Sequence, residues 1–344
     1  MSDGELGRRD FLKTTAGTLG AGALASGMTS VHAADDGLDH RNERSDRMHY
    51  RQLGRTKFMS SQLVFGCGSA LVGGKAVHLL ERAYEAGVNY FDIGSNDYYK
   101  GAEKHLAAFA KKRRGDIWIT SKGYARSSVE HTSGKDVSVE YAKVAATFWT
   151  HLVEQSLIDL DSDTIDAYFT QGANDPSLVR SEEMGRAFEN VKASGKVGHV
   201  GVSTHQNAQA VLATAVETGW YDIAMVAVNP AGWYDWKNKA MLAGTPSLKA
   251  LRPELDRVRE SGMGVIGMKA GRLIAPLRAG GRGDTAAFDS FYDAKLMQAS
   301  YTPHQRSYAF VLAHGLDAVN ADMQNFKHFE ENLGAVRDGH TYFA

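Results

Sequence analysis

The sequence predicts an α/β chain closed into a single (β/α)8 TIM barrel, and three observations carry that expectation. Eight short apolar strand candidates recur along it, longer helical patterns separate them, and only six prolines interrupt the order. The span from the first candidate to the last suits eight βα units closed on themselves better than an open sheet.

The strand candidates are residues 63–67, 88–92, 117–121, 165–170, 197–203, 223–228, 264–268 and 318–321. Between the first two, Ala76, Leu79, Leu80, Ala83 and Tyr84 fall at i, i+3, i+4, i+7 and i+8. They form one apolar helical stripe that stops at Gly87. The main irregular stretch is 270–301, with Gly271, Gly280, Gly281 and Gly283. A stretch of that length inside a compact domain is expected to be functional or disordered.

Ahead of the barrel, Arg8-Arg9-Asp10-Phe11-Leu12-Lys13 precedes an uncharged stretch from residue 14 to 31, which closes with Val31-His32-Ala33-Ala34. This resembles a twin-arginine export signal over residues 1–34, with cleavage expected after Ala33 or Ala34. The resemblance implies a periplasmic protein that meets the export machinery and touches the membrane only through its signal. The Gly and Thr content of the stretch suits a permanent anchor poorly. Residues 35–47 are rich in charged side chains and are expected to form a solvated linker, with the barrel occupying 48–344.

Composition narrows the chemistry. Lys and Arg number 39 against 40 Asp and Glu, a formal charge of −1, so no global basic field exists to hold nucleic acid. Cys67 is the only cysteine and cannot by itself form an internal disulfide or a thiolate metal centre. The 13 histidines show neither HxH nor HExxH spacing, so no metal site is expected.

In such a barrel the chemistry belongs at the C-terminal strand ends. Asp92 closes the second candidate, Lys122 follows the third, Gln171 the fourth, and Ser203 closes the fifth. An Asp and a Lys at neighbouring strand ends form a partly buried ion pair able to depress the pKa of a nearby tyrosine. Tyr98 and Tyr99 stand in the loop after Asp92. Trp220 and Tyr221, before the sixth strand, are expected to pack the barrel floor. At least one of Trp233, Tyr234 and Trp236, after it, is expected to supply a substrate or cofactor wall, with Trp233 taken as the substrate contact alongside Tyr98.

Six segments in this order resemble the aldo-keto reductase family, in the branch that includes potassium-channel β subunits. Arg51-Gln52-Leu53-Gly54-Arg55-Thr56 is similar to its opening hairpin, Ala86-Gly87-Val88-Asn89-Tyr90-Phe91-Asp92 to the stretch before the catalytic aspartate, and Ile119-Thr120-Ser121-Lys122 to the strand with the catalytic lysine. Ser156-Leu157, Leu160, Asp163 and Ile165-Asp166 match the spacing before the catalytic histidine; residues 195–203 and Glu331-Asn332-Leu333 complete the set.

The resemblance implies an N-terminal β-hairpin on the barrel and an NAD(P)-dependent oxidoreductase acting on a small carbonyl or sugar-like compound. Asp92, Tyr99 and Lys122 take the proton chemistry. Counting back from Glu103 selects Tyr99, whereas counting forward from Asp92 reaches Tyr98. The histidine position holds Gln171, whose amide can orient a carbonyl but cannot relay a proton. Ser203, Lys269, Glu331 and Asn332 are expected at the cofactor, NADP with NAD as the alternative, and Lys327 is a further phosphate candidate. Met225 stands where many members have a glutamine, and His328 where many have an arginine. Gly280 to Gly283 would hinge a flap over the pyrophosphate. The export signal further implies that the cofactor is loaded before export and retained. Two other readings stand beside this one: a cofactor-binding sensor that lost turnover with the histidine, and a lyase or isomerase using Lys122 as base.

Overall fold

The computed structural model describes residues 36–132 and 134–343 of the 344-residue chain. The export signal read in residues 1–34 lies outside the described residues.

Two short strands, β1 (Tyr50–Gln52) and β2 (Met59–Ser61), pair antiparallel as the opening hairpin. The parallel barrel follows with β3 (Leu63–Gly66), β4 (Tyr90–Asp92), β5 (Trp118–Tyr124), β6 (Ile165–Gln171), β7 (Val197–Thr204) and β8 (Ile223–Asn229). An antiparallel excursion, β9 (Gly232–Asp235) and β10 (Ala240–Met241), precedes β11 (Gly264–Met268) and β12 (Ala318–Asp322). Pairing of β12 with β3 and of β7 with β8 closes the cylinder. The helices are α1 (Cys67–Leu71), α2 (Leu80–Glu85), α3 (Asn96–Tyr99), α4 (Ala102–Arg113), α5 (Val139–Asp159), α6 (Pro176–Val179), α7 (Glu182–Ala193), α8 (Ala208–Thr218), α9 (Leu248–Glu260), α10 (Ala294–Met297), α11 (Pro303–Ala313) and α12 (Phe326–Asp338).

Strand alternation divides the core into two layers. Val64, Tyr90, Trp118, Phe169, Met225 and Ile266 point into the barrel, while their neighbours Phe65, Phe91, Ile119, Tyr168, Val226 and Val265 meet the helices. Helix starts are fixed by side-chain caps: Ser138 accepts from Tyr141 N, Ser181 from Met184 N, and Thr302 forms a capping box with Gln305. The floor is closed by Leu53 and Phe58 of the hairpin, Phe58 stacking on Trp118 at 4.6 Å.

The structure alters several expectations. The helix read over residues 76–84 is a 3-10 turn, Val77–Leu79, continued by α2. Trp220 and Tyr221 do not pack the floor, because the hairpin already fills it. Tyr221 lies in the strand–helix layer against Phe188, and its hydroxyl donates to Val179 O at 2.9 Å. The expected solvated linker is folded chain from Asp39 onward. Asp39 N donates to Lys57 O, Asn42 donates to Tyr84 O, and Arg41 donates to Ile117 O and to Asp166, each of these two at 2.8 Å. Arg41 and Asp39 face complementary charges and carbonyls at the base of the barrel, which composition alone does not show, while Glu43, Arg44, Asp46 and Arg47 remain exposed as expected of a solvated segment. The 270–301 stretch has only short elements and is tied to itself, Gly283 N donating to Ala275 O and Arg272 to Ala279 O, both at 2.8 Å.

Candidate active site

The parallel register sets Asp92, the last residue of β4, beside Thr120 of β5, so Lys122 reaches across at the C-terminal mouth. Its Nζ donates to both Asp92 oxygens at 2.6 Å, and each side chain is about 95% removed from water, with 4% and 5% exposed. Asn320, entering from β12, donates to Asp92 Oδ2 at 2.5 Å. Burial pushes the Asp92 carboxyl up, and Lys122 and Asn320 oppose that push. Removing either charge would leave the other buried and unpaired.

Tyr99 ends the single turn α3, which is anchored where Ser95 N donates to Lys122 O at 2.8 Å. Its ring occupies a slot between two glycines. A Cβ at Gly68 would come within 2.6 Å of the ring, and a Cβ at Gly94 within 2.8 Å of it and 3.1 Å of Lys122 Cγ. The ring therefore lies against the lysine stem. Tyr98 points outward, 44% exposed, with its ring edge-on to Tyr99 at 4.7 Å and to Tyr124 at 5.7 Å. Of the two tyrosines, Tyr99 is the one brought to the ion pair.

One expectation fails in sign. The ion pair does not depress the Tyr99 phenol: burial raises its pKa first, and the Asp92 charge raises it further. Both Asp92 oxygens already hold the ammonium, so little of its field is left for the phenol. Tyr99 thus keeps its proton and stays neutral at neutral pH.

Gln171 at the end of β6 is paired in register with Tyr124 of β5 and Ser203 of β7. Its side chain opposes the burial that raises the Tyr124 phenol, and its carbonyl oxygen is buried without a partner. Ser203 Oγ is likewise buried and unpartnered. On the far side of the mouth, Lys269 stands in the left-handed region at φ 68°, 4.6 Å above the Trp236 ring, with Arg272 4.9 Å from the same ring. Burial, and then Arg272, lowers the Lys269 ammonium to about 8.

Trp233 does not face this mouth. It is 2% exposed and packs among the strand–helix residues, while its neighbours at alternate positions, Tyr234 and Trp236, belong to the barrel interior. Of the three aromatic residues after β8, Trp236 is the one that stands against Lys269 and Arg272. Glu331 and Asn332 lie on α12, where Glu331 accepts from Thr302 Oγ1 and Asn332 is buried. Lys327 is exposed in the first turn of the same helix.

Sequence reasoning missed four contributors. Asn320 lies inside the strand candidate 318–321, one residue from its end, and strand parity would have pointed it inward. His205 follows Ser203 by two residues, just past the end of β7; its ring meets Trp236 at 5.9 Å, and burial with the charges of Lys269 and Lys122 holds it down at about 3, neutral. Tyr124 and the Gly68–Gly94 slot carried no signal in the linear pattern.

The site suits a nicotinamide dinucleotide. The orphaned Ser203 hydroxyl can bond an amide, while Lys269 and the unpartnered Nε of Arg272 offer cations to phosphates.

A sequence profile of the Aldo/keto reductase family matches residues 65–242. The chain is 30% identical over 161 residues to an uncharacterized oxidoreductase, YqkF, of Bacillus subtilis (strain 168), a match spanning 46% of this chain and 49% of that protein. The chain thus aligns with about half the length of that curated relative. Among solved structures it is similar to the aldo-keto reductase AKR11C1 from Bacillus halodurans in its holo form, with 21% identity, 84% and 91% of the two chains covered and a TM-score of 0.58. It is also similar to an aldo-keto reductase from Klebsiella pneumoniae in complex with NADPH, with 18% identity, 84% and 89% covered and a TM-score of 0.58. These two structures share the fold.

Proposed function

The chain belongs to the aldo/keto reductase family, and we propose that it is an NAD(P)-dependent oxidoreductase acting on a small carbonyl or sugar-like compound. The observation that carries this reading is the buried Lys122–Asp92 pair against the Tyr99 ring at one mouth of the barrel. The NADPH complex of the Klebsiella pneumoniae neighbour supports the cofactor class.

A bound nicotinamide supplies the hydride for the carbonyl carbon. Tyr99 then donates its proton to the carbonyl oxygen as negative charge develops there. Lys122, held by Asp92 and backed by Asn320, would keep the Tyr99 ring in place for that transfer, its stem lying against the ring. Gln171 and neutral His205 donate hydrogen bonds that orient the carbonyl, in place of the usual histidine. Ser203 would hold the carboxamide end of the dinucleotide, Lys269 and Arg272 its phosphates, and Glu331 with Asn332 its adenosine end. Tyr98 and Trp236 form the walls of the substrate approach.

The test is to mix the protein, NADPH and a panel of aldehydes and quinones and follow NADPH absorbance. Turnover lost in Tyr99→Phe supports the enzyme. The absence of a histidine at position 171 favours a second reading, a cofactor-holding sensor, for which NADPH binds and no substrate oxidises it. Failure of NADPH and NADH to bind at all would end both. The Arg8-Arg9 segment supports export by the twin-arginine route with cofactor already loaded; periplasmic protein that releases no NAD(P) on denaturation would refute that part.

A further inference from the structure

Beside the active site, a cavity of about 660 Å3 opens between the loop after β5 and the segment carrying α6. Its volume falls inside the range of ligand pockets, about 300–1,000 Å3, and exceeds what a small aldehyde fills. Gln171 and Tyr124 line it and also belong to the mouth, Tyr124 meeting Tyr98 and through it Tyr99. We propose that this cavity binds a neutral, hydroxyl-rich ring, so that the substrate is a disaccharide or glycoside with one sugar unit here and its carbonyl-bearing unit at Tyr99. This rests on the oxidoreductase reading above.

Three features select that chemistry. First, Thr170 Oγ1 and Gln171 Oε1 are buried without partners, in side chains 4% and 3% exposed that line the cavity. A carbonyl oxygen only accepts, so the occupant must bring O–H or N–H donors; an apolar occupant would leave these atoms unpaired. Second, the charges cancel. Arg180 donates to Asp136 at 2.8 Å, His131 stands 3.4 Å from Asp175, and Lys135 adds one cation. No concentrated field favours an anion. Third, the aromatic rings of Tyr124, Tyr141 and His131 form walls, His131 and Tyr141 at 5.3 Å. A sugar ring stacks its C–H face on such walls while its hydroxyls meet the acceptors.

The experiment is calorimetry on the full chain without added cofactor, using maltose, cellobiose and lactose as probes, with citrate as an anionic control and glucose as a single unit. At least one disaccharide is expected to bind more tightly than glucose, and citrate not to bind. Tyr141→Ala and the isosteric Thr170→Val are each expected to weaken that disaccharide about three- to tenfold, through lost stacking and a lost hydrogen bond. NADPH affinity, measured in parallel, serves as the folding control. No disaccharide binding, or binding that both variants leave unchanged, overturns the inference, and NADPH binding with aldehyde turnover would then leave the enzyme reading intact. Disaccharide binding in a protein that holds no dinucleotide would keep the cavity and refute the enzyme.

Discussion

Tyr99 is positioned by two missing side chains. A methyl group at Gly94 would overlap the ring at 2.8 Å, and its neighbours there include the Lys122 stem, which cannot yield without loosening the ion pair. Gly94→Ala is therefore expected to lower turnover about 10- to 100-fold while NADPH affinity stays within twofold, because a misplacement near 1 Å costs that much in rate; an active Gly94→Ala enzyme would show that the ring is not held by this slot. Lys122→Met removes the ammonium and leaves Asp92 buried without its partner. It should cut turnover at least about 100-fold and also lower the melting temperature. The pH profile of carbonyl reduction follows from the two groups at the mouth. Burial and Asp92 raise the Tyr99 phenol, and His205 is already neutral above about 3. Neither loses a proton between pH 5 and 8, so the rate of the reductive step should be flat there. A limb near pH 6.5 that vanishes in His205→Gln would contradict this.

At the junction of α4, β5 and α5, Glu103 carries a titration that the proposed chemistry does not use. It is fully buried, Ser121 Oγ donates to its Oε1 at 2.6 Å, and its Oε2 has no partner. Burial pushes this carboxyl from 4.5 up to about 7. The folded state thus holds the proton more tightly than the unfolded chain. The stability tied to that proton is complete below about 4.5, drains as pH rises through 7, and is gone above it. Glu103→Gln keeps the shape without the charge. It should melt higher than the natural protein at pH 8, by at most ~3 kcal/mol in stability, and show no such advantage near pH 4.5. Calorimetric melting of both proteins across this range decides it; parallel curves would mean that Glu103 is not the titrating group. The same element scale explains where strand limits moved. The strand read as 117–121 runs on to Tyr124 because β6 continues to pair with it through Gln171, a partner 47 residues away.

For the molecule as a whole, residues 39–49 ahead of the hairpin are part of the fold. Arg41 joins Asp166 at the base of the barrel and Asp39 within its own segment, and Asn89 donates to Arg41 O at 2.7 Å. Arg41→Ala should cost about 1–3 kcal/mol of stability, read as a lower melting temperature; a free segment would leave melting unchanged. By itself the sequence determined the barrel, since the alternation of Val64 with Phe65 or Tyr168 with Phe169 and the stripe through Leu79, Leu80 and Ala83 are local signals that any eight βα units must bury. It also placed Asp92, Lys122, Gln171 and Ser203 in or beside the last residues of their strands, because the apolar runs that mark those strands are local. The tertiary structure alone decided which tyrosine meets the lysine, which tryptophan faces the mouth, that Asn320 and His205 join the site, and that residues after Asp39 are bound. Each of these depends on a contact between chain segments far apart, where steric fit, burial and charge are set by the partner; strand parity turns Asn320 inward but does not name Asp92 as what it meets.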